Sequence, residues 1–247
     1  MTTEHEAGAG DELGLLRRTH DPHYYLSADS ALRNYIRMAD EIAATLWSGA
    51  RVLDWGAGQG QMSFLLQRRG LEVTAYDLER AQRKTAEPLF PEISIEYGTA
   101  PIALPYPDAA FDAALSCGVL EHVPYPAASL AEIARVLRPG GYLFIYNLPQ
   151  RWSWPELTRE ALRMGDTHRR RFSMQDVRDL LKATGFHIET TRRSNMLPKH
   201  LSGLPDDVRS AYQRLASGNI ALDRRLSAVP GVNRFAGLLE VIAVRDE

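Results

Sequence analysis

The chain has 247 residues, of which 45% are hydrophobic and 24% are charged, a composition that supports a full globular core. A net charge of −2 gives no overall bias toward nucleic acid or an anionic membrane. The one cysteine, Cys117, excludes an internal disulfide framework and is typical of a reducing compartment. Residues 1–14 lack the apolar core of a signal peptide, and no run has the roughly 18–20 apolar residues of a membrane span. We therefore expect a cytoplasmic protein without an integral membrane segment.

Helical and strand patterns alternate through the first 150 residues. A helix is predicted from Asp29 to Trp47, because apolar residues recur there at helical spacing and Gly49 follows. Strands are then predicted at 51–55, 71–76, 93–97, 111–117 and 142–148, and helices at 62–69, 79–86 and 130–137. The breaker Arg138-Pro139-Gly140-Gly141 ends the last of these helices. Such alternation indicates a parallel sheet with helices on both faces.

After Leu148 the pattern loosens, and few strands remain. Ser173 is the predicted N-cap of a helix that ends before Gly185. Further elements are predicted as helices beginning at 155 and spanning 174–183, 206–215 and 220–226, and as strands at 186–192 and 237–245. We predict a single domain over residues 1–247, divided into an N-terminal helical cap at 13–50, a core at 51–148, and two insertions at 149–172 and 193–234 that form a substrate lid.

The stretch VLDWGAGQG at 52–60 leads from the first strand into a turn with three alternating glycines. Glycine tolerates positive φ and lets the backbone approach a ligand closely, as in nucleotide-binding turns. The third glycine of the dinucleotide fingerprint GxGxxG would fall at position 61, which is Gln61, and the phosphate loop GxxxxGK[ST] is absent. The spacing therefore disfavours a dinucleotide or a triphosphate.

Two acids flank this turn. Asp54, at the end of the first strand, would repel a pyrophosphate but can accept hydrogen bonds from an ammonium group. Asp77 ends the second strand, where a carboxylate can accept both ribose hydroxyls of a nucleoside. The alternatives are a helix N-cap for Asp54 and a surface turn for Asp77. The loop thus suits a cationic nucleoside without phosphates.

These features, together with LSCGVLEHVPYPAASLAEIARVLRPGGYLFI at 115–145, resemble the class I S-adenosylmethionine-dependent methyltransferases. The similarity is closest to the small-molecule branch (methyltransferase type 11) that includes the ubiquinone C-methyltransferases, and HRRRFSMQDVRDLLKATGF at 168–186 extends it. The resemblance implies a Rossmann-like, mostly parallel sheet of seven strands in the order 3-2-1-4-5-7-6, with the last strand antiparallel. It also implies S-adenosylmethionine as cofactor, S-adenosylhomocysteine as product and no metal.

The resemblance implies a position for each part of the cofactor. The methionine part would lie against Asp54 and the backbone of Gly56, Ala57, Gly58 and Gly60. Asp77 would bind the ribose, while Leu78, Thr99 and Ala100 would contact the adenine. Cys117 and Gly118 would line the pocket near the sulfonium, and Tyr25 would fold over it. Many relatives have an aspartate where Thr99 stands, and Trp55 replaces an aliphatic residue.

Two histidines are candidate general bases, because imidazole exchanges protons near neutral pH. His122 follows the fourth strand, and pocket lining is its alternative role. His168 begins the run HRRR, which is either a solvated segment or a cationic rim for an anionic substrate. For Tyr24, Tyr25, Trp152 and Trp154, simple packing is the alternative to ligand contact.

The predicted function is methyl transfer by in-line displacement to an O, N or C atom of a small or medium-sized metabolite. The aromatic insertions suit a bulky acceptor, such as a glycosylated, lipid-linked or natural-product scaffold. Nucleic acid is disfavoured, because basic residues are not interleaved with aromatic ones. The alternatives are a catalytically silent S-adenosylmethionine-binding partner and, less in keeping with the glycine spacing, a nicotinamide oxidoreductase. The oligomeric state is not predicted.

Overall fold

A computed structural model describes residues 12–16, 29–78, 90–161, 168, 170–197, 206–214 and 216–247. The predicted helix at 79–86 and the predicted contacts of Tyr24 and Tyr25 lie outside these residues. The helices are α1 Asp29–Thr45, α2 Gln61–Gln67, α3 Pro126–Val136, α4 Trp154–Ala161, α5 Met174–Ala183, α6 Asp206–Arg214 and α7 Ala216–Ala228, followed by a 3-10 turn at Val232–Phe235. The strands are β1 Arg51–Trp55, β2 Glu72–Leu78, β3 Ile95–Gly98, β4 Phe111–Cys117, β5 Leu137–Pro149, β6 Phe186–Ser194 and β7 Leu238–Arg245.

The seven strands form one sheet in the order β3-β2-β1-β4-β5-β7-β6. Strands β1 to β5 pair in parallel, whereas β7 is antiparallel to both β5 and β6. Strand β6 therefore runs in the same direction as β5. The predicted fold class and strand order are confirmed, and six strands end at one edge of the sheet, which we call the carboxyl edge.

Each face of the sheet is covered by helices, because successive strand residues point to opposite faces. In β1, Val52 packs with α1 and α2 on one face, and Leu53 packs with α3 and α5 on the other. Both side chains are fully buried. Burial of such an aliphatic side chain contributes about 1.5–3 kcal/mol, so apolar residues on both faces of β1 follow from its central position.

The largest departure from the predicted boundaries lies around the RPGG breaker. Helix α3 begins at Pro126 rather than at position 130, because proline has the φ that the first helical turn requires. The chain passes directly from Val136 into β5, which begins at Leu137 rather than at position 142. The breaker ends the helix as predicted, but its residues then belong to a strand with a register shift opposite Phe111–Ala113.

The helix α5 begins and ends as predicted. The hydroxyl of Ser173 accepts a hydrogen bond from the backbone N–H of Asp176, and the Asp176 carboxylate accepts one from the N–H of Ser173. This capping box satisfies two backbone donors that the helix leaves unpaired. None of the helices in the described part of the chain has the length and apolar content that crossing a bilayer requires.

Candidate cofactor and active site

The glycine turn after β1 is held against the end of β2. The backbone N–H groups of Gly56 and Ala57 both donate to the carbonyl of Tyr76, at 2.8 and 3.0 Å. Gly56 has φ +77°, and a Cβ there would lie 2.5 Å from Val119, so this position requires glycine on two counts. At Gly58, with φ +60°, a Cβ would meet nothing closer than 3.9 Å. The turn therefore has an open side at Gly58, where a ligand can approach the backbone.

Asp54 lies beneath this turn and is almost completely buried, with 2% of its surface exposed. Ser63, in the first turn of α2, donates its hydroxyl to the Asp54 carboxylate at 2.6 Å and also its backbone N–H. Burial raises the pKa of Asp54 to about 6, and the bonds from Ser63 offset only part of this effect. Asp54 thus does bond to the start of a helix, the alternative role, and it also remains a buried acid that a nearby cation would stabilise.

Asp77 connects the glycine turn to the end of β2. One carboxylate oxygen accepts the N–H of Gly58 at 2.9 Å, and the other accepts the N–H of Leu78 at 2.7 Å. Each oxygen can accept a second hydrogen bond. Asp77 is buried, with 8% of its surface exposed, so it is not a surface turn acid. The geometry fixes the turn and places a buried carboxylate at the end of β2.

The remaining predicted cofactor residues lie along the carboxyl edge. Leu78 is half-buried, whereas Thr99 and Ala100, after β3, are exposed. Cys117 is half-buried at the end of β4, and the side-chain amide of Asn147 lies 3.3 Å from its sulfur. Gly118 follows with φ +69°. Trp55 packs within the α3/α5 core at 7% exposure, which explains the indole as a core residue.

The two candidate bases lie close together. The rings of His122 and His168 are 6.1 Å apart, and Glu121 lies beside both. The Glu121 carboxyl is 8% exposed, and its Oε2 has no hydrogen-bond partner among the described residues. Burial raises the pKa of Glu121 to about 7. One ligand atom from each of these three residues lies within 4.8 Å of the others, so the cluster can exchange protons and could also hold a cation.

His168 is oriented by Glu156, at the start of α4. Its Nδ1 lies 3.3 Å from Glu156 Oε2, and its backbone N–H donates to the same oxygen at 3.1 Å. The contact with Glu156 raises the pKa of His168, although burial opposes this rise. Burial alone would raise the pKa of Glu156, but the groups of His168 lower it on balance. A carboxylate that holds an imidazole makes it a better oriented and stronger base.

Two arginines of the HRRR run, Arg170 and Arg171, contact the protein itself, and Arg169 lies outside the described residues. Arg170 donates to the backbone carbonyl of Val123, and Arg171 pairs with Glu160 at 3.0 Å. They therefore hold the segment against its neighbours, and the contacts do not favour the cationic rim. The indole N–H of Trp154 donates to the Met196 carbonyl at 2.7 Å, which joins the two insertions, while Trp152 is exposed.

Three residues of this site were not among the predicted ones. Glu121 directly precedes His122 in LEHVP, so its position next to a candidate base was a usable signal. Glu156 lies 12 residues before His168, and only the path of the chain after α4 brings the two together. Asn147 has φ +55°, a backbone conformation that sequence does not reveal. A contact across a loop accounts for the omission of Glu156, and an unusual backbone conformation for that of Asn147.

The fold and the turn define the class of protein. A parallel sheet with a glycine turn after β1 and an acid after β2 is a Rossmann-like nucleoside-cofactor domain. Residues 53–145 match the family described as "Methyltransferase domain". The match covers this core of the chain, and the predicted resemblance to the methyltransferases is confirmed there.

Curated relatives match part of the chain. A ubiquinone biosynthesis O-methyltransferase of Xylella fastidiosa is 44% identical over 105 residues, which cover 41% of this chain and 43% of the relative. A probable S-adenosylmethionine-dependent methyltransferase of Mycolicibacterium smegmatis is 30% identical over 157 residues, covering 64% of this chain and 58% of the relative. The chain thus aligns with less than two thirds of the length of either relative.

Solved structures share the fold over most of the chain. The 1,6-didemethyltoxoflavin-N1-methyltransferase of Burkholderia thailandensis, solved with S-adenosylhomocysteine, covers 100% of this chain and 92% of its own, with a TM-score of 0.56 and 22% identity. The [4+2]-cyclase SpnF covers 85% of this chain and 80% of its own, with a TM-score of 0.55 and 23% identity. At these identities the comparison establishes the fold, which is shared by proteins named for different reactions.

Proposed function

We propose that this chain is an S-adenosylmethionine-dependent methyltransferase that acts on an O, N or C atom of a small or medium-sized metabolite. The observation that carries the proposal is the buried carboxylate of Asp54 below a glycine turn that Asp77 holds open at Gly58. A buried acid with a raised pKa suits the α-ammonium group of the methionine part. The acceptor capacity of Asp77 suits the ribose diol.

When bound, the cofactor supplies an activated methyl group on a sulfonium. The protein then has to align the acceptor and exclude water, since the displacement itself neutralises charge. Cys117 of β4 and Asn147 of β5, which are in contact, would form one wall of the cofactor site. Tyr25, Thr99, Ala100, Leu78 and Gly118 complete the proposed cofactor site. The insertions at 149–172 and 193–234, joined through Trp154, would enclose the acceptor.

An oxygen acceptor fits the histidine cluster best. A hydroxyl has to lose its proton as the methyl group arrives, whereas a free amine has an available lone pair. His168, held by Glu156, would take that proton, with Glu121 and His122 beside it. The names of several curated relatives refer to O-methylation, in agreement with this choice.

The first experiment measures cofactor binding by calorimetry with S-adenosylhomocysteine, using NAD as the competing class of ligand. We expect S-adenosylhomocysteine to bind and NAD not to bind. The variant Asp77→Ala should weaken binding, and the matched control Asp179→Ala, an exposed acid on α5, should not. Binding of NAD alone, or equal affinity in the wild type and Asp77→Ala, would show that the proposed site is wrong.

The second experiment follows release of S-adenosylhomocysteine with phenolic, amine and carbon-acid acceptors. Release distinguishes the enzyme from a silent S-adenosylmethionine-binding partner, the second candidate. A [4+2]-cyclase shares this fold, so the fold by itself does not establish methyl transfer and the second candidate has to be tested. Because Glu121, His122 and His168 could hold a cation, the assay compares EDTA-treated protein with protein supplied with divalent metals. Cofactor binding without release for any acceptor class would favour the silent partner.

A further inference from the structure

Two adjacent arginines of β6 lie in contrasting electrostatic environments. Arg192 is paired in register with the buried Glu240 of β7, and Arg193 with Leu239. On the α1 face, Glu240 binds Arg37 at 2.8 Å and Arg192 at 3.3 Å, and both arginines also pair with Glu41. Two arginines and two carboxylates therefore balance one another on that face.

Arg193 points to the opposite face, where, among the described residues, its side chain donates to a neutral group alone. Its Nε donates to Gln150 Oε1 at 3.0 Å. The amide nitrogen of Gln150 donates to the carbonyls of Arg234 and Ala236, at 2.6 and 2.8 Å, so the amide oxygen is directed at Arg193. Gln150 thus orients the guanidinium without neutralising it, and neither terminal nitrogen has a hydrogen-bond partner in the part of the chain that the structure describes.

Two further positive charges act on this group. Burial lowers the pKa of Arg193, and the charges of Arg178, on α5, and Arg234, in the 3-10 turn, lower it further. Within the part of the chain that the structure describes, none of these three arginines has a carboxylate partner. Like charges gathered at a half-buried position are unfavourable unless an anion binds among them.

This three-arginine cluster lies at the same edge as the cofactor site. The row Arg193–Leu239–Leu148 crosses the sheet two positions beyond the row that joins Cys117 to Tyr146. Three strand spacings separate β6 from β4, which is a lateral distance of about 14 Å. Gln150 also begins the insertion that leads to Glu156 and His168. Cys117 packs on the α1 face and Arg193 lies on the other face, so a medium-sized molecule that reaches both would cross the carboxyl edge.

We propose that Arg178, Arg193 and Arg234 form a binding site for an oxyanion, a carboxylate or phosphate group, carried by the methyl acceptor. The free end of the Arg193 guanidinium presents two parallel N–H donors, the geometry that binds such groups bidentately. The two exposed arginines add charge at the rim. This assignment of an anionic acceptor rests on the proposed methyltransferase function, but the anion site itself can be measured without cofactor.

The test titrates the full-length protein with inorganic phosphate, pyrophosphate and benzoate, against chloride at equal ionic strength. We expect saturable binding, which Arg193→Gln weakens about tenfold or more. Arg193→Lys keeps the charge but not the fork, so it should restore only part of the affinity. Arg178→Gln and Arg234→Gln should each give smaller losses and, as substitutions of exposed side chains, should fold normally. The matched control is Arg33→Gln, an exposed arginine on α1.

The anion site would be overturned if none of the probes bound. It would also be overturned if the affinity were the same in the control as in Arg193→Gln, Arg178→Gln and Arg234→Gln. Tighter binding of benzoate than of phosphate would assign a carboxylate acceptor, and the reverse order a phosphate ester. Failure to bind S-adenosylhomocysteine in a separate titration would instead refute the proposed function alone. With an active acceptor, Arg193→Gln should raise KM for the anionic form and leave its neutral ester unaffected.

Discussion

The two ends of the carboxyl edge carry side chains of opposite charge. At the β1–β2 end, Asp54 and Asp77 are buried acids around a glycine turn, and they suit a ligand with an ammonium group and a diol. At the β6 end, Arg193 and its two arginine neighbours face no carboxylate among the described residues. Under the proposed function, one sheet edge would separate recognition of a cation from recognition of an anion, with the histidine cluster as a third group. Substitutions at one end should leave the measurements of the other unchanged.

The largest expected effect is a loss of turnover in a variant of His168, which tests whether proton transfer and cofactor binding are separate functions. In His168→Ala, turnover of a hydroxyl acceptor should fall about 100-fold or more, the range for loss of a general base. The affinity for S-adenosylhomocysteine should remain that of the wild type. Steady-state kinetics and calorimetry measure the two quantities. His187→Ala, an exposed histidine paired with Asp246, is the control, and a parallel loss of affinity in His168→Ala would contradict the separation.

The second prediction concerns Asp77. Its carboxylate holds the turn through Gly58 and is proposed to hold the ribose, and hydrogen bonds to a charged group contribute about 1.5–3 kcal/mol each. Asp77→Ala should therefore weaken S-adenosylhomocysteine binding about 100-fold. Phosphate binding at the arginine cluster should be unchanged. If both affinities fell together, the two ends would not be independent.

The third prediction is a pH dependence of stability at Asp54. Its folded pKa of about 6 is above the unfolded value of 3.8, so between these values the native state binds more protons. The free energy of unfolding therefore falls as pH rises through this window, by about 3 kcal/mol at most. Asp54→Asn should lack this fall, and the cofactor-free variant should be relatively more stable above pH 6. Urea unfolding from about pH 4 to pH 8 measures it.

The variant Asp54→Asn also tests whether Asp54 contacts the ligand, when its stability is measured with and without S-adenosylhomocysteine. S-adenosylhomocysteine brings an ammonium group to the buried carboxylate, so it should stabilise the wild type more than Asp54→Asn. Thermal unfolding with and without ligand gives this difference. An equal ligand-induced shift in both proteins would mean that Asp54 serves α2 alone.

The smallest expected effect comes from Gly58→Ala. Alanine at φ +60° costs about 1–2 kcal/mol, although its methyl group has open space. Gly49→Ala is the matched control, with φ +81° and nothing within 4 Å of the added Cβ. Both variants should lose similar stability, but only Gly58→Ala should lose cofactor affinity, about tenfold. Unchanged affinity would place the ligand away from the open side of the turn.

The sheet and the cofactor half could be predicted from sequence because their signals are local. The glycine spacing, the acid after each strand and the capping residue Ser173 all lie within a few positions of the element they define. The strand order came from resemblance to a family and was confirmed. Gly58 and Asp77 are 19 positions apart, but the βαβ unit makes their contact a general feature.

The acceptor half could not be predicted in the same way. Glu156 meets His168 through a loop, and Gln150 meets Arg193 across 43 positions, without a periodic pattern to indicate either contact. The sequence shows a basic run at 168–171, whereas the three arginines of the proposed anion site come from α5, β6 and the 3-10 turn. The density of charged residues in the sequence does not reveal which arginines have carboxylate partners. Neighbouring arginines of a strand point to opposite faces of the sheet and therefore meet different partners.

The hydrogen bond from the Trp154 indole to the Met196 carbonyl has a kinetic consequence. It ties the insertion after β5 to the one after β6, and Asp223 of α7 holds the second by accepting the N–H groups of Asn195 and Leu197. A cover built from these two segments would move as a single body about one set of hinges. Acceptor entry and product release would then depend on the same opening rate. Replacement of the Trp154 indole would let the two segments open at two different rates.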